Sequence, residues 1–592
     1  MDKMMGGDVI ARMLKAEGVE KVFGIIDGTY FGLYSSLRKY DIDLITPRHE
    51  TSAAHMAGAY ARITGKLGVC MASNGPGVAN ILPGIAVENG EGNRVLLLTS
   101  TRRTGTGYPD RGGTYQYFNQ VGVIKPMAKW SGAVPSHARL PELMRRAFRK
   151  SFHGRPGVVH VDVPENIMNG EEAAPAFLDP HQYRRTDPIT PCSAQIEAAA
   201  DLLLKAGLPI IHAGSGVVHA MAFAELQELA ELLQAPVLTS WAARSALPED
   251  HPLAIAMIHV ELNHRVRNDA DVVLTLGSRL GETDWWGKAP YWRQASQQKM
   301  IQVDIDEDML GLNKPATIAV LADCKVFLRA LIEEVKSRKP AVNGRANKLA
   351  QFGEARSAHL ATLRERLEGP GLNAGHVARA CEQHFDKDAI CVVDGGNTAI
   401  WAHFYRTARA PNTILQTAKF GMLGAGVAQV LGAKVAAPDR HAYCIIGDGA
   451  MGFQPQEIET AVRNKLAVTY LVCCDRQWGM VKMNQQFTLQ KYRKIVEGLS
   501  QKFTSLGTLN ESLGPLDAIN ADLGEIQWDK LALSMGAHGE RVNSPVNLKP
   551  ALERASASGG CSVIHCDVDP VTHMWAPSLR AFKDMHQEPA GR

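Results

Sequence analysis

The sequence predicts an α/β protein built from three doubly wound domains with parallel sheets. Short apolar runs, such as Val95–Leu98 and Val272–Leu276, indicate buried strands. Ala-rich amphipathic segments between these runs indicate helices, and Gly or Asp often follows a run directly. Strands that alternate with helices in this way form parallel sheets that are covered by helices.

Two polar linkers divide the chain into three units. The first linker, about residues 165–193, is rich in Pro and charge, and the second, about residues 337–355, is basic. A chain of 592 residues is too long for one core and fits about three or four domains of ordinary size. The predicted domains cover residues 1–175, 190–340 and 365–592.

Composition and charge exclude several classes of protein. The chain is 45% hydrophobic and 21% charged, and its net charge of +3 is spread along its length, so we expect neither a nucleic-acid stripe nor a polybasic membrane patch. Ten cysteines occur without a CxxC pair, mostly inside apolar runs, as in reduced cytosolic proteins. No uncharged apolar run reaches membrane-spanning length, and the N-terminus has no signal-peptide pattern. We therefore expect a cytoplasmic protein.

In the first unit, the candidate functional residues follow predicted strands. The dipeptide Asp27-Gly28 ends the first strand, Glu50 follows the second, and the turn Asn74-Gly75-Pro76-Gly77 follows the third. A helix signal follows both Glu50 and the Gly-Pro-Gly turn, which favours a ligand site at this edge of the sheet. Glu50 could equally stabilise a helix dipole, and the glycines could form a plain turn.

The middle unit has the same alternation of strands and helices. Its predicted strands end at Gly214-Ser215-Gly216, at Gly277-Ser278-Arg279 and at Asp304-Ile305-Asp306. Glycine-rich turns with an Arg and acidic residues suit the phosphates and ribose of a nucleotide, although such turns also occur as ordinary loops.

The third unit carries the strongest signal. A strand ends at Gly447-Asp448-Gly449, a helix follows, and the next strand, Val468–Cys473, leads to Asp475. Both strands of such a crossover end at the same edge of a parallel sheet, so Asp448 and Asp475 should lie side by side. Two carboxylates beside a Gly-rich helix start suit Mg2+ and a diphosphate. The alternative is a tight turn with Asp448 as a helix N-cap.

These motifs, in this order, resemble those of thiamine-diphosphate-dependent enzymes of the acetolactate synthase-like family. That family's metal motif is Gly-Asp-Gly, a helix and then an Asn, and here Asp475 takes the place of the Asn, 27 positions after Asp448 (475 − 448). The resemblance implies that Asp448, Asp475 and the backbone carbonyl of Gln477 bind Mg2+.

The resemblance also implies a role for residues of the first and third units. Glu50 matches the glutamate that protonates N1′ of the aminopyrimidine, and Gln116 matches a residue that faces the active site. Further matches are expected to surround thiamine diphosphate: Gly75, Gly396, Asn397, Thr398, Gly421, Leu423, Gly449 and Ala450.

Two further expectations follow from the family. Its cofactor bridges the first domain of one subunit and the third domain of its partner, which implies a homodimer or homotetramer. Its central domain binds FAD in acetolactate synthases and ADP in some relatives that handle CoA. Residues that match this nucleotide site are Arg279, Asp304, Asp306 and Asp323.

The resemblance implies a carboligase or lyase that acts next to the carbonyl of a 2-oxo acid or 2-hydroxyacyl donor. We expect a 2-oxo acid or acyl-CoA substrate, and the departures from acetolactate synthases given below favour an enzyme other than the biosynthetic acetolactate synthase. A simple decarboxylase and a non-catalytic cofactor-binding relative remain alternatives. The residues expected in the substrate pocket depart from acetolactate synthases or follow the metal motif: Asp27, Asn74, Trp478, Lys482 and Asn484. An added segment, about residues 488–527, could be a lid or an interface loop.

Overall fold

The computed structural model describes residues 2–107, 112–338, 344–369, 371–486 and 518–578. The predicted segment at about 488–527 therefore lies outside the described residues, apart from its last part, 518–527. Among the described residues, no helix is both long and apolar enough to cross a membrane.

The first domain contains a parallel sheet of six strands in the order β3-β2-β4-β5-β7-β6. These strands are β2 (Lys21–Gly24), β3 (Asp43–Ile45), β4 (Gly68–Ala72), β5 (Val95–Thr101), β6 (Trp130–Ala133) and β7 (Val158–Pro164). Its helices are α1 (Gly6–Ala16), α2 (Phe31–Leu37), α3 (Glu50–Thr64), α4 (Pro76–Glu91), α5 (Gln120–Ile124), α6 (Leu140–Phe152) and α7 (Glu165–Met168). A small antiparallel pair, β1 (Lys3–Met5) and β8 (Glu171–Ala173), lies apart from this sheet.

The middle domain contains a second parallel sheet, in the order β11-β10-β9-β12-β13-β14. Its strands are β9 (Pro209–Ala213), β10 (Val237–Thr239), β11 (Ala254–Ile255), β12 (Val272–Leu276), β13 (Lys299–Asp304) and β14 (Ile318–Leu321). Its helices are α8 (Ser193–Lys205), α9 (Ser215–His219), α10 (Phe223–Leu233), α11 (Val260–Asp269) and α12 (Cys324–Ser337), and α13 (Ala346–Glu365) follows them. Counted within the domain, the order is 3-2-1-4-5-6, which is the order of dinucleotide-binding folds.

The third domain contains a third parallel sheet, in the order β16-β15-β17-β18-β20-β19. Its strands are β15 (Ile390–Asp394), β16 (Ile414–Leu415), β17 (Ala442–Gly447), β18 (Val468–Cys474), β19 (His538–Val542) and β20 (Ser562–Asp567). Its helices are α14 (Ala374–His384), α15 (Asn397–Tyr405), α16 (Ala425–Ala436), α17 (Asp448–Met451), α18 (Glu457–Arg463), α19 (479–486), α20 (Trp528–Ser534), α21 (Leu548–Ala557) and α22 (Pro570–Met574).

The predicted fold class is confirmed: three doubly wound domains each carry a parallel sheet. The first and third domains also share one strand order, 2-1-3-4-6-5 when each is counted from its own first strand. In such an order the chain changes direction between the first and third strands, and ligands bind at the carboxyl ends of the strands there. That position is the β2/β4 edge in the first domain and the β15/β17 edge in the third.

The first and third domains pack against each other through α3 and α16, whose buried faces are rich in Ala and Gly. Gly432 of α16 lies so close to α3 that a Cβ atom there would approach the carbonyl oxygen of Met56 to 2.3 Å. At the other end of α3, the backbone N–H of Arg48 donates to both carboxylate oxygens of Glu457, at 3.1 Å each. The two domains therefore form a close interface within one chain.

Candidate active site

Asp448 and Asp475 lie side by side at the carboxyl ends of the adjacent strands β17 and β18, as predicted. The Asp448 carboxylate accepts the backbone N–H of Gly449 at 2.8 Å and that of Arg476 at 2.9 Å. The Asp475 carboxylate accepts the side-chain amide of Gln477 at 3.2 Å and lies within hydrogen-bonding reach of Asp448. Both carboxylates are buried.

The electrostatics of this pair fit a bound cation. Burial, followed by the negative charge of Asp448, raises the pKa of Asp475 to about 7, and burial also raises the pKa of Asp448. Two buried carboxylates in contact repel each other unless a positive charge lies between them. Carboxylate oxygens are the ligands that Mg2+ prefers. In the described part of the chain, no group of three or more His, Cys, Asp or Glu side chains is placed to hold a metal ion.

The turn after β15 lies beside this carboxylate pair and has the form of a phosphate cradle. Gly395 has a φ of +108°, and a Cβ atom there would lie 3.3 Å from the backbone nitrogen of Gly447. Asn397 begins α15, and its buried Oδ1 has no hydrogen-bond partner among the described residues. Thr398 shares a hydrogen bond of 3.0 Å with Nε2 of His573. The close approach of the glycine backbone fits a phosphate at this turn, and the unpartnered Oδ1 is an acceptor that a cation or a water molecule would satisfy.

The turn at Gly449 is covered by the indole ring of Trp478. A Cβ atom on Gly449 would lie 2.8 Å from that ring, so only Gly lets the two approach. Ala450 is buried behind this turn, in the core that α3 and α16 share. Trp478 therefore borders the turn that carries Asp448.

Asp394, which sequence reasoning did not single out, organises the glycine-dense segment. Its Oδ2 accepts the backbone N–H of Gly426 at 2.7 Å. Asp394 thus joins the end of β15 to the N-terminus of α16. Within that segment Gly421 is exposed and Leu423 packs in part against the shared core.

Glu50 is half-buried at the first position of α3. His49 caps this helix, since its Nδ1 accepts the N–H of Thr51 at 3.2 Å. The Glu50 Oε2 accepts a hydrogen bond of 3.0 Å from Asn80, and a Cβ atom on Gly77 would lie 3.4 Å from Oε1. The carboxyl group is therefore held in one orientation beside the Gly75-Pro76-Gly77 turn.

Gln116 packs tightly against the Gly75-Pro76-Gly77 turn, and we call this contact the clamp. It has a φ of +53°, and its carbonyl oxygen accepts a hydrogen bond of 2.9 Å from the side chain of Asn74. Asn74 is linked through Ser100 and Thr29 to Asp27, whose Oδ1 accepts from both the N–H and the hydroxyl of Thr29. The structure therefore brings Asp27, Asn74 and Gln116 into one hydrogen-bonded network at the strand ends.

We predict that Gly75→Ala lowers kcat/KM by at least about tenfold and lowers the melting temperature. Gly75 has a φ of +67°, and a Cβ atom would lie 2.8 Å from both Cβ and the carbonyl oxygen of Gln116. The left-handed backbone alone costs about 1–2 kcal/mol, and the clash would also displace Gln116. Gly18→Ala is the matched control, because Gly18 has a φ of +78° and no atom within 4 Å of its Cβ position. Equal activity of the two variants would contradict the clamp.

Asp162 stabilises the clamp through Gln120, which bonds both Asp162 and Gly75. Gln120 donates from Nε2 to Asp162 Oδ1 at 2.9 Å, and its Oε1 accepts the N–H of Gly75 at 3.0 Å. Thr99 donates to the same Asp162 oxygen at 2.6 Å. Burial raises the pKa of Asp162 from 3.8 to about 7.

The raised pKa predicts a pH dependence of stability. The folded protein holds the Asp162 proton more tightly than the unfolded chain, so this contribution to the free energy of unfolding is full below about pH 4 and is lost as the pH rises to about 7. Asp162→Asn removes the titration and keeps an acceptor oxygen. We expect the melting temperature of the wild type, relative to this variant, to fall between pH 4 and pH 7. An unchanged difference over this range would contradict the assignment.

In the middle domain, Arg279, Asp304 and Asp306 lie at the carboxyl edge of the sheet. Arg155 of the first domain, which sequence reasoning missed, joins them, because its backbone N–H donates to Asp306 at 2.9 Å. Burial, and then the charge of Arg279, lowers the pKa of Arg155. Partial burial and the charges of Arg279 and Arg155 lower the pKa of Lys419 to about 8. Three cationic side chains, one from each domain, are therefore close enough for their charges to act on one another.

The remaining predicted residues of the middle domain and pocket have structural contacts of their own. The Asp323 carboxylate caps α12, where it accepts the N–H groups of Lys325 and Val326 at 2.8 and 3.1 Å. Lys482 on α19 is buried and donates to Asp522 at 2.7 Å, and Asn484 is exposed on the same helix.

Comparison with known families matches all three domains. Residues 4–123 match the thiamine pyrophosphate enzyme N-terminal TPP binding domain, residues 196–331 match the thiamine pyrophosphate enzyme central domain, and residues 394–566 match the C-terminal TPP binding domain. The chain therefore belongs to the thiamine pyrophosphate enzymes.

Similarity to individual proteins indicates a narrower group within the thiamine pyrophosphate enzymes. A probable acetolactate synthase large subunit of Methanocaldococcus jannaschii is 29% identical over 582 residues, which cover 96% of this chain and 92% of the relative. A sulfoacetaldehyde acetyltransferase of Castellaniella defragrans is 30% identical over 583 residues, which cover 94% and 91%. The acetolactate synthase isozyme 3 large subunit of Escherichia coli is 28% identical over 498 residues, which cover 82% and 84%. This protein is a thiamine-diphosphate-dependent transferase or lyase of the acetolactate synthase-like group.

Proposed function

We propose that the protein uses thiamine diphosphate and Mg2+ to form or break a carbon–carbon bond next to the carbonyl of a 2-oxo acid or 2-hydroxyacyl donor. The observation that carries this proposal is the pair of buried carboxylates, Asp448 and Asp475, at the ends of adjacent strands and beside the glycine turn after β15. A divalent cation would offset the two negative charges, and backbone N–H groups of the glycine turns would hold a diphosphate.

Each half of the site would have a distinct task. Asp448, Asp475 and the carbonyl of Gln477 would hold Mg2+, and the residues after β15 and β17 would hold the diphosphate: Gly396, Asn397, Thr398, Gly449 and Ala450. When bound, thiamine diphosphate supplies the nucleophilic carbon that adds to the donor carbonyl and the ring system that accepts the electrons released there. Glu50 would hold the proton at N1′ of the pyrimidine, whose ring Gly421 and Leu423 would contact.

The residues expected in the substrate pocket argue against biosynthetic acetolactate synthesis. Asn484 stands where acetolactate synthases use a Trp for their acceptor, so a different acceptor is expected. Gln116 is held by Asn74 and Gly75 beside the turn that also positions Glu50, which suits a side chain that faces the donor. Trp478 covers the metal-bearing turn and would exclude water from it.

We also propose a homodimer, or a homotetramer made of two such dimers, with active sites across the subunit boundary. Large apolar side chains are exposed around both half-sites: Ile26, Phe31 and Tyr115 near the first-domain strand ends, and Phe453, Val481 and Ile519 near the metal-bearing loops. Each is at least half exposed in the single chain. A second copy of the chain that brings its first domain to this third domain would cover both groups at once.

For the middle domain we propose a bound ligand with an adenosine diphosphate group, either ADP or FAD. The dinucleotide-binding strand order and the proximity of Arg155, Arg279 and Lys419 support it, because three neighbouring cations suit a diphosphate. Asp304 and Asp306 would then lie near the ribose. The absorbance spectrum of the purified protein, with chromatography of the nucleotide released on denaturation, tests this proposal, and the absence of any released nucleotide would contradict it.

The ten free cysteines support a reducing, cytoplasmic compartment, because nine of them are buried as thiols and none is paired.

The test of the function is a substrate screen with protein loaded with Mg2+ and thiamine diphosphate. The screen would cover 2-oxo acids, 2-hydroxyacyl and acyl-CoA compounds and sulfoacetaldehyde, with detection of CO2 and of ligated products. Ligated products support a carboligase, and CO2 without them supports the decarboxylase alternative. Rapid conversion of pyruvate alone to acetolactate would contradict the exclusion of acetolactate synthesis. Cofactor binding without any turnover would support the non-catalytic alternative.

A further inference from the structure

The metal-bearing loop 475–478 is paired with a short segment, Ala521–Leu523, which we call the brace. The backbone N–H of Trp478 donates to the carbonyl of Ala521 at 2.7 Å, and the N–H of Leu523 donates to the carbonyl of Arg476 at 2.8 Å. These two bonds form an antiparallel bridge centred on Gln477 and Asp522.

This bridge fixes the direction of the Gln477 backbone. In an antiparallel pair of this kind the bonded groups belong to the flanking residues, so the N–H and C=O of the central residue point away from the partner segment. The N–H of Gln477 faces the Asp475 carboxylate, whose negative charge it stabilises. The carbonyl of Gln477 is therefore turned to the side of the loop where the two carboxylates lie.

Side chains hold the brace in place. Lys482, which is 11% exposed, donates to Asp522 Oδ1 at 2.7 Å. The side-chain amide of Gln485 bonds the backbone of Ile519 twice, at 2.8 and 3.0 Å. Ala521 is buried, and Leu523 Cδ1 lies 3.5 Å from the Cβ position of Gly449, next to Asp448. The brace thus contacts both turns that carry the metal-binding carboxylates.

We propose that the brace is a positioning element for the Mg2+ site and that Lys482 acts as its latch instead of contacting substrate. The inference rests on the proposed function, because it assumes that Gln477 offers its carbonyl to the metal. Because the brace already orders this loop, less conformational entropy is lost when the three ligands are aligned on the metal. Loss of the brace should therefore weaken metal binding first and alter the chemical step little.

The direct test is Leu523→Pro, which removes the N–H that bonds Arg476, with Leu523→Ala as the matched control that keeps it. Mn2+ would be titrated into the full-length protein with thiamine diphosphate present, and free Mn2+ measured by electron paramagnetic resonance. We expect the Mn2+ dissociation constant to rise about 10- to 100-fold in Leu523→Pro and by less than about threefold in Leu523→Ala. Wild-type affinity in Leu523→Pro would overturn the proposal.

A second variant decides the matter if Leu523→Pro does not fold. Asp522→Asn keeps every backbone bond and removes the ion pair with Lys482, which is partly exposed to solvent, so we expect about two- to fivefold weaker Mn2+ binding. Its Mg2+ activation constant should rise by the same factor, while kcat at saturating Mg2+ stays near the wild-type value. Lys482→Met should give the same effect, and the double variant no more than either single one. Additive losses, or a lower kcat at saturating Mg2+, would overturn the latch.

The proposed function and the brace fail in different ways. A wild-type protein that binds neither Mn2+ nor thiamine diphosphate contradicts the proposed function. A wild-type protein that binds both, with variants that bind equally well, contradicts only the brace.

Discussion

Glu50→Gln is expected to lower kcat by about 10²- to 10⁴-fold while cofactor binding stays close to that of the wild type. Gln has the same size and can still accept the hydrogen bond from Asn80, so the local structure should persist. An amide cannot hold and return a proton at N1′ of the pyrimidine, which is the role proposed for Glu50. The measurements are kcat on the best substrate from the screen and the thiamine diphosphate dissociation constant, from quenching of tryptophan fluorescence.

Asn80→Ala distinguishes the contribution of the Glu50 carboxyl group from that of its hydrogen bond with Asn80. This variant keeps the Glu50 carboxyl group and removes its hydrogen-bond donor, so kcat should fall by less than in Glu50→Gln. Turnover in Glu50→Gln within about tenfold of the wild type would show that Glu50 is not the proton-holding residue. Loss of cofactor binding in that variant would instead assign Glu50 a binding role.

The carboxylate pair could be predicted from sequence because the information is local. A strand that ends in Gly-Asp-Gly, a short helix and a second strand that ends before Asp475 are all contained within residues 444–475. The geometry of a parallel crossover then requires both strand ends to lie at one edge. The structure confirms that the two residues directly follow the adjacent parallel strands β17 and β18.

Asp394 and Arg155 could not be assigned because their partners are distant in sequence. Asp394 looks like the last residue of an apolar strand, and its role depends on Gly426, 32 positions later. Arg155 lies in a Gly-Arg-Pro-Gly turn of the first domain, and its partner Asp306 is 151 positions away in another domain. The conformational strain of Gln116 was likewise invisible, since a left-handed Gln has no local signature.

Strand order was predictable only in part. The similar stretches Val158–Pro164 and Val563–Asp569 suggest that the first and third domains are related. The structure places their strands, β7 and β20, in the same position of two sheets with one strand order. The middle domain shows the same alternation of strands and helices but a different order. Alternation alone does not distinguish the two, because the order depends on which side of the sheet each helix crosses.

Asp448→Ala is expected to weaken Mn2+ binding by at least about 100-fold and to abolish activity at ordinary Mg2+ concentrations. Asp448 is the member of the pair that is held by two backbone N–H groups, at 2.8 and 2.9 Å, so its position is fixed before any metal binds. Its loss would remove a charged ligand and leave those donors unpaired in a buried site. Electron paramagnetic resonance of Mn2+ and thiamine diphosphate titration measure both effects.

Asp475→Asn is the contrasting control, because it removes one of two repelling charges and keeps an oxygen ligand. We expect activity within about tenfold of the wild type at saturating Mg2+. The metal-free variant should melt at a higher temperature than metal-free wild type at neutral pH, since it no longer buries two adjacent carboxylates. Inactivity of Asp475→Asn at saturating Mg2+ would mean that the second charge is required for the reaction.

The two inactive variants also test where the active site lies. If Glu50 of one subunit completes the site formed by Asp448 of its partner, a dimer of one Glu50→Gln chain and one Asp448→Ala chain contains one site with both lesions and one intact site. Co-folding equal amounts should then restore about one quarter of the wild-type activity, because half of the dimers are mixed and each has one active site of two. If both residues act within one chain, every site carries a lesion, and the mixture should stay as inactive as either variant alone.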